Sequence, residues 1–351
     1  MTRVVYPLLA LAIPTVLFGC KKDGDLKITQ SVSETFTQVP TNEVDILWVV
    51  DDSVSMVEEQ ERVINGASDF IDHLDESGMD FHIGVITTGV DDEMAGVLRG
   101  DPTYLTNETP DYTELFKERA QVGTDGAQME SGLEAAILAV TAPNVEGANT
   151  GFLRPDAKLA VIVLSDENDC SDFGALPEGS DNFDCYADGA PLTPVDTLVE
   201  MLRNAKGIDE HSSTLSLSGI IGPPFEEGCA DATPGDRYSD AIEEIGGLNA
   251  NICSADYSSI MSDLGLLAAS PKSVFNLANE AADGSIVVTV TAEDGSSWEV
   301  PEDATNGWVY TTGEGLSRLS FYGDGVPPRG SEFTVDYTVY VDTEDPAGVY
   351  E

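Results

Sequence analysis

Val44-Asp45-Ile46-Leu47-Trp48-Val49-Val50-Asp51-Asp52-Ser53-Val54-Ser55-Met56 is the stretch on which the reading of the whole chain turns. Its first seven residues are β-rich and nearly all apolar, the pattern of a short strand buried on both faces. A polar loop follows at once. Then Met56, Val63, Ala67, Phe70 and Leu74, with Val57, Ile64 and Ile71 beside them, trace the apolar face of a helix. The alternation continues. Phe81 to Thr87 reads as a strand, Met129 to Val140 as a helix and Leu159 to Leu164 as another buried strand. Thr197 to Arg203 reads as helix, Leu215 to Ile221 as strand, and Ser239 to Ile245 and Tyr257 to Leu267 as helices. Strands alternating with helices predict an α/β domain over residues 43–270, with a doubly wound, mostly parallel sheet flanked by helices.

After Pro271 the character changes. Ser285 to Thr291, Gly307 to Thr311, Leu316 to Tyr322 and Glu332 to Val341 are β-rich, with Gly, Pro, Asn and Asp between them and no helical period. A small all-β, sandwich-like domain is expected over 271–343, and a solvated tail over 344–351. At the other end, Arg3 precedes an apolar run from Val4 to Phe18 interrupted by Pro7 and Pro14, too short and broken for a membrane span. Residues 1–19 read as a signal peptide. Leu17-Phe18-Gly19-Cys20 looks like a lipobox, which makes Cys20 the lipidated N-terminus of the mature chain. Lys21 stands where an inner-membrane retention signal carries Asp, so the outer membrane is the expected anchor site, on its periplasmic or its surface face. Residues 20–42 are expected to be the lipidated cysteine and a flexible tether.

The chain has 351 residues, with 64 acids against 16 bases and a net charge of −48. So anionic a protein repels nucleic acid and anionic lipid surfaces. Acids spread along the whole length fit adaptation to saline surroundings at least as well as one local function. Cys170, Cys185, Cys229 and Cys253 remain beyond Cys20, an even number that points to disulfides in an exported protein. Three pairings are possible, and Cys170–Cys185 with Cys229–Cys253 closes the shortest loops. Metal ligation by these cysteines lacks a Cys-x-x-Cys spacing or a nearby histidine.

Asp51-Asp52-Ser53-Val54-Ser55 sets a carboxylate and two hydroxyls on one loop at the carboxyl end of a strand, where open α/β sheets bind ligands. That donor set suits a hard cation, although a helix N-cap accounts for Asp51 or Ser53 equally well. Gly123-Thr124-Asp125 precedes a helix, and Ser165-Asp166 ends a strand as Asp51 does. Together and in this order, these pieces resemble the metal-ion-dependent adhesion site (MIDAS) of von Willebrand factor A (vWA) domains, over about residues 43–268. The resemblance implies a vWA-like fold in which Ser53, Ser55 and Thr124 offer hydroxyls to Mg²⁺, or to Ca²⁺ or Mn²⁺. Asp51 and Asp166 would act directly or through water. It further implies a protein partner whose acidic residue completes the coordination.

Trp48-Val49-Val50-Asp51-Asp52-Ser53, Gly132-Leu133-Glu134-Ala135-Ala136, Gly151 to Ala157, Val163 to Cys170, Arg237-Tyr238 and Ile252-Cys253-Ser254 are similar to stretches of vWA lipoproteins of myxobacteria and related deltaproteobacteria. Asp52 departs from the small or neutral residue common at its position. The loop Cys170–Cys185, with Asp172, Glu178, Asp181 and Asp184, is unusually acidic and expected near the site's rim. An enzyme is not expected: His73, His82 and His211 fall in a helix, a strand and a turn, and no hydrolase or phosphate-binding motif occurs. The expectation is a cell-envelope lipoprotein that mediates metal-dependent protein binding or adhesion. The alternative is a non-catalytic envelope scaffold acting through the C-terminal β domain.

Overall fold

A computed structural model describes residues 28–39, 41–90, 93–126, 129–177, 179–209, 211–224, 229, 232–271, 273–313 and 316–341. The signal-peptide and lipobox expectations, Cys20 included, and the expected tail at 344–351 lie outside the described residues. In chain order the strands are β1 (Ile28–Thr37), β2 (Glu43–Val50), β3 (Asp80–Thr87), β4 (Leu105–Thr106), β5 (Lys158–Ser165), β6 (Leu215–Ile221), β7 (Asn249–Asn251), β8 (Val274–Asn276), β9 (Val287–Thr291), β10 (Ser297–Val300), β11 (Trp308–Gly313), β12 (Leu316–Phe321) and β13 (Glu332–Val341). The helices are α1 (Val57–Glu76), α2 (Tyr112–Ala120), α3 (Gly132–Val140), α4 (Asn182–Cys185), α5 (Val195–Lys206), α6 (Asp236–Ile245) and α7 (Ser258–Ala269).

The protein is mixed α/β, as its alternating pattern predicts. A six-stranded sheet runs β4-β3-β2-β5-β6-β7, parallel throughout except where β4 pairs antiparallel to β3. Strand β2 lies at its middle, hydrogen-bonded to β3 on one edge and to β5 on the other. Its side chains alternate between two cores. Ile46, Trp48 and Val50 pack with Phe70 of α1, Phe116 of α2 and Met261 of α7. Leu47 and Val49 pack on the opposite face with Leu133 of α3, Leu202 of α5 and Ile242 of α6. Asp45, inside this strand, is fully buried and accepts hydrogen bonds from the Arg154 backbone N–H at 2.6 Å and its Nε at 2.7 Å. That pairing explains how a carboxylate sits in an otherwise apolar strand.

The remaining strands form two antiparallel sheets, β1-β13-β9-β10 and β11-β12-β8. Between them lies a separate core in which Phe36, Phe275, Phe321 and Phe333 meet with ring centroids 4.7–5.9 Å apart. The sequence leads one to expect a flexible tether over 20–42 and a β domain made from 271–343 alone. The structure corrects this: Ile28–Thr37 pairs along its whole length with β13 and supplies Phe36 to the β core. Its Ser/Thr-rich alternation, apolar only at every second residue or fewer, is what an edge strand with one solvated face requires.

The β module sits against the edge of the large sheet where the strands begin. Arg329 donates to the Thr41 and Ala269 carbonyls at 2.6 Å each, and Arg318 to the Glu243 carbonyl at 2.8 Å. Thr37 forms a bridge with Ser212, just ahead of β6. The carboxyl ends of β2 and β5 therefore face away from the β module. The disulfides are Cys170–Cys185 and Cys229–Cys253, with Cα atoms 5.7 and 5.5 Å apart, the short-loop pairing of the three possible. Among the described residues no helix is long and apolar enough to cross a membrane.

If residues 28–37 are structural, Phe36→Ala opens a cavity in the β core. It is expected to lower the unfolding free energy of that module by about 3–5 kcal/mol, read from urea denaturation; a tether residue would leave the curve unchanged.

Candidate functional site at the carboxyl ends of β2 and β5

Three adjacent parallel strands end level with one another. Val50 pairs with Thr87 of β3 and Leu164 of β5, so the next residues, Thr88, Asp51 and Ser165, form a row across the sheet. β2 is the first strand of the parallel sheet and its neighbours run onward in opposite directions, β3 to one side and β5 to the other. The crevice between β2 and β5 is thus the switch point at which such sheets bind ligands.

Asp51 is fully buried. Its Oδ1 accepts from the Ser53 backbone N–H at 2.8 Å and its Oδ2 from the Ser165 hydroxyl at 2.7 Å. Ser53 Oγ lies 3.0 Å from Ser55 Oγ. The helix-cap explanation of these residues does not hold, because neither Ser53 ahead of the short 3-10 turn nor Met56 ahead of α1 caps with its side chain. The two hydroxyls face each other instead. Asp166 is nearly buried, and its backbone carbonyl accepts from Thr233 N at 2.8 Å. No helix begins at Asp166, so it too is not a cap; the next one starts at Asn182.

The loop carrying Thr124 is stitched to the same place by its backbone. Gln60, buried on α1, donates through Nε2 to both the Asp51 and Gly123 carbonyls, at 2.9 and 2.8 Å. Gly126 N donates to the Asp52 carbonyl at 2.9 Å, and a Cβ at Gly126 would lie 2.0 Å from Asp52 Oδ1, so a larger residue there would displace the Asp52 side chain. The structure therefore brings the three predicted segments together. The Thr124 side chain is half-exposed and, among the described residues, its hydroxyl bonds to none of Asp51, Ser53 and Ser55.

One participant escapes sequence reasoning. Glu130 is fully buried beside this row. Its Oε2 accepts a short hydrogen bond from the Thr88 hydroxyl, while Oε1 is buried and has no partner among the described residues. The helix expected from Met129 begins only at Gly132, because the preceding backbone bonds elsewhere. Ser131 N donates to the Thr88 carbonyl, and Cys170 N donates to the Glu130 carbonyl at 2.7 Å. The first N–H groups of α3 are taken by Tyr238 Oη, Asp169 Oδ1 and Ser171 Oγ. Periodicity cannot register such bonds, since all the acceptors are distant in sequence.

So many acids in one crevice depress each other's ionisation. Burial, with the charge of Asp166, pushes Asp51 up to about 6. Burial and then the Asp51 charge push Glu167 up to about 7 and Glu130 up to about 9. Glu167 is held by Asn182 Nδ2 at 2.6 Å, which ties the disulfide-closed acidic loop to the rim. Of that loop's acids, Asp181 and Asp184 are exposed and bond to local backbone, Asp181 capping α4, while the buried Asp172 accepts from Leu176 N at 2.5 Å. Glu178 lies outside the described residues. The histidines bond elsewhere, His82 to the Phe152 carbonyl at 2.8 Å and His73 to Ser262 at 2.7 Å, while His211 lies 3.5 Å from Glu34. Among the described residues, no three His, Cys, Asp or Glu side chains gather as a metal-holding group. Any cation here would rest on hydroxyls as well as acids.

No protein-family model matches the chain. No curated protein matches it either. Two solved structures of the pilus adhesin SpaC from Lactobacillus rhamnosus GG, one in an open conformation, are similar to it at 13% and 14% identity, with TM-scores of 0.40 and 0.41. They cover 92% and 93% of this chain, which in turn spans 43% and 42% of the adhesin. The chain thus matches less than half of that protein's length, and a likeness this distant carries no argument about activity.

The raised carboxyls give a testable pH dependence. Each binds its proton more tightly folded than unfolded, so its stabilising contribution is complete below the ordinary carboxylate range. It is lost as pH rises through about 6 for Asp51, 7 for Glu167 and 9 for Glu130. The metal-free chain is expected to melt at progressively lower temperature from pH 5 to pH 9. Glu130→Gln, which mimics the protonated acid, should flatten the fall above pH 7; equal slopes in the two proteins would contradict the assignment.

Proposed function

We propose that this chain is an envelope-anchored, vWA-like binding protein that holds a divalent cation at the ends of β2 and β5 and uses it to engage a protein partner. One observation carries the reading. The Ser53 and Ser55 hydroxyls lie 3.0 Å apart beside the buried Asp51 carboxylate, at the switch point of a parallel sheet. Two hydroxyls and a carboxylate, with Asp166 on the neighbouring strand end, form an oxygen donor set suited to Mg²⁺, with Ca²⁺ or Mn²⁺ as rivals. Ser53 and Ser55 are the hydroxyl donors of this proposal, with the Thr124 loop packed beside them, and Asp51 and Asp166 are its acids. The bound ion would supply a positive centre to which an acidic partner residue can add a ligand.

The residues around the crevice suit a partner rather than a small substrate. Val54, inside the loop itself, is 77% exposed, and Phe183, on α4 next to the residue that holds Glu167, is 86% exposed. Apolar side chains so exposed on both flanks of a charged centre favour contact with another protein surface. The candidate site faces away from the β module, and β1 begins at the far end of that module. In the proposed arrangement the lipid at Cys20 anchors the chain to the outer membrane, with the module between membrane and site. The rigid strand β1, about 33 Å long at 3.3 Å per residue, adds stand-off that a flexible tether would not.

Calorimetric titration of Mg²⁺ and Ca²⁺ into the metal-stripped chain tests the site. Saturable binding of one ion, weakened at least 100-fold by Asp51→Ala, is the expected outcome. Weak binding at many sites, unchanged by the substitution, would mean that the acids merely attract counterions. The anchor has its own test: labelling with radioactive fatty acid should mark the wild-type chain but not Cys20→Ser.

A further inference from the structure

Glu130 lies in the third of the loops that meet at the candidate site, six residues beyond Thr124. Its backbone is pinned on both sides, by the bond from Cys170 N to its carbonyl and by that from Ser131 N to Thr88. The Thr88 hydroxyl holds one carboxylate oxygen. Thr88 follows the residue paired with Val50, and Asp51 follows Val50. Thr88, which holds the Glu130 carboxylate, is thus next to Asp51 across the strand ends, near enough that the Asp51 charge acts on Glu130. The remaining oxygen, Oε1, is buried without a partner among the described residues, as is the neighbouring Ser131 hydroxyl. Buried polar atoms left unpaired are costly, and in a native structure each calls for an explanation, of which a bound ion or water is one. Two such atoms on consecutive residues, in the loop next to the buried Asp51, suit a partly built ligand shell.

We infer that Glu130, rather than Thr124, is the third-loop ligand of the cation site, binding the ion directly through Oε1 together with the Ser53 and Ser55 hydroxyls. The inference rests on the cation reading of the preceding subsection. It changes the chemistry of that site, because a carboxylate takes the place of a neutral hydroxyl. The described acids do not close into a three-carboxylate cage, so Asp51 and Asp166 act here through water or by hydrogen-bonding the hydroxyls. Thr124 keeps a different part: its loop packs by backbone against Gln60 and Asp52. An added charged ligand holds a hard cation more tightly than a hydroxyl would, and tolerates the longer bonds of Ca²⁺ as well as those of Mg²⁺.

Calorimetry on the full-length, metal-stripped chain, with Mg²⁺ and Ca²⁺ as separate probes, distinguishes the two residues. Glu130→Gln keeps the shape and can still accept from Thr88. It is expected to weaken cation affinity by at least about 10-fold, the scale seen even for residues behind the ligands of metal sites. Thr124→Ala is expected to stay within two-fold of wild type. A second readout is the rise in melting temperature on adding the cation: large for wild type and Thr124→Ala, small for Glu130→Gln. Glu130→Asp, which keeps the charge on a shorter arm, should also bind more weakly and serves if the amide variant fails to fold. Wild-type affinity in both Glu130 variants, or loss of binding in Thr124→Ala instead, overturns the inference while leaving the cation site intact through its dependence on Asp51. Absence of saturable binding in the wild-type chain overturns both readings.

Discussion

Strand β2 is the constraint around which the rest is arranged. It is hydrogen-bonded along both edges and buried on both faces, so its path, length and end are set by neighbours on four sides. A strand held in this way has no freedom to move its last residue. The residue that follows, Asp51, is delivered to the rim of the sheet with its backbone N–H bonded to the Leu164 carbonyl. Both carboxylate oxygens then find donors, one from its own loop and one from the end of β5. Because β3 and β5 diverge from β2 in opposite directions, the following loop turns into a crevice rather than onto a helix. The geometry of the candidate site is therefore a consequence of strand order.

Electrostatics is the counterweight. The protein carries 64 acids, and most stay in solvent, where water screens them. Those it buries are not all treated alike. Asp45 and Asp169 are each paired with an arginine, Arg154 and Arg237, and serve structure: the first fastens a loop to β2, the second joins α6 to the start of α3. Asp51 and Glu130 form no such ion pair among the described residues. Burial raises their proton affinity instead, with the Asp166 charge adding to the effect on Asp51 and the Asp51 charge to that on Glu130. Burying acids without counter-charge is unfavourable unless something positive compensates for it. This group stands at the strand-end crevice between β2 and β5.

The two kinds of acid could not be told apart in the sequence. Asp169, deep in a structural network, reads no differently from Asp166 three residues earlier. What marks Asp169 is a guanidinium from α6 that reaches it. The same holds for the N-terminal segment. Ile28 to Thr37 lacks the hydrophobic density of the central strands, and its partner β13 lies at the opposite end of the chain. A strand whose pairing spans nearly the whole length gives no local signal beyond a weak alternation.

The sequence by itself determined the alternating α/β order, the two apolar faces of β2, the strand-end position of Asp51, Ser53 and Ser55, and the late β-rich module. All of these depend on local patterns, in which burial and backbone geometry leave a period of two or of three to four residues. Tertiary structure alone decided that β1 completes the β module, that α3 starts at Gly132, and that Glu130 is buried near Asp51 with one oxygen unpaired among the described residues. Those features depend on hydrogen bonds between residues far apart in the chain, which only come to exist once parallel strands have been brought into register.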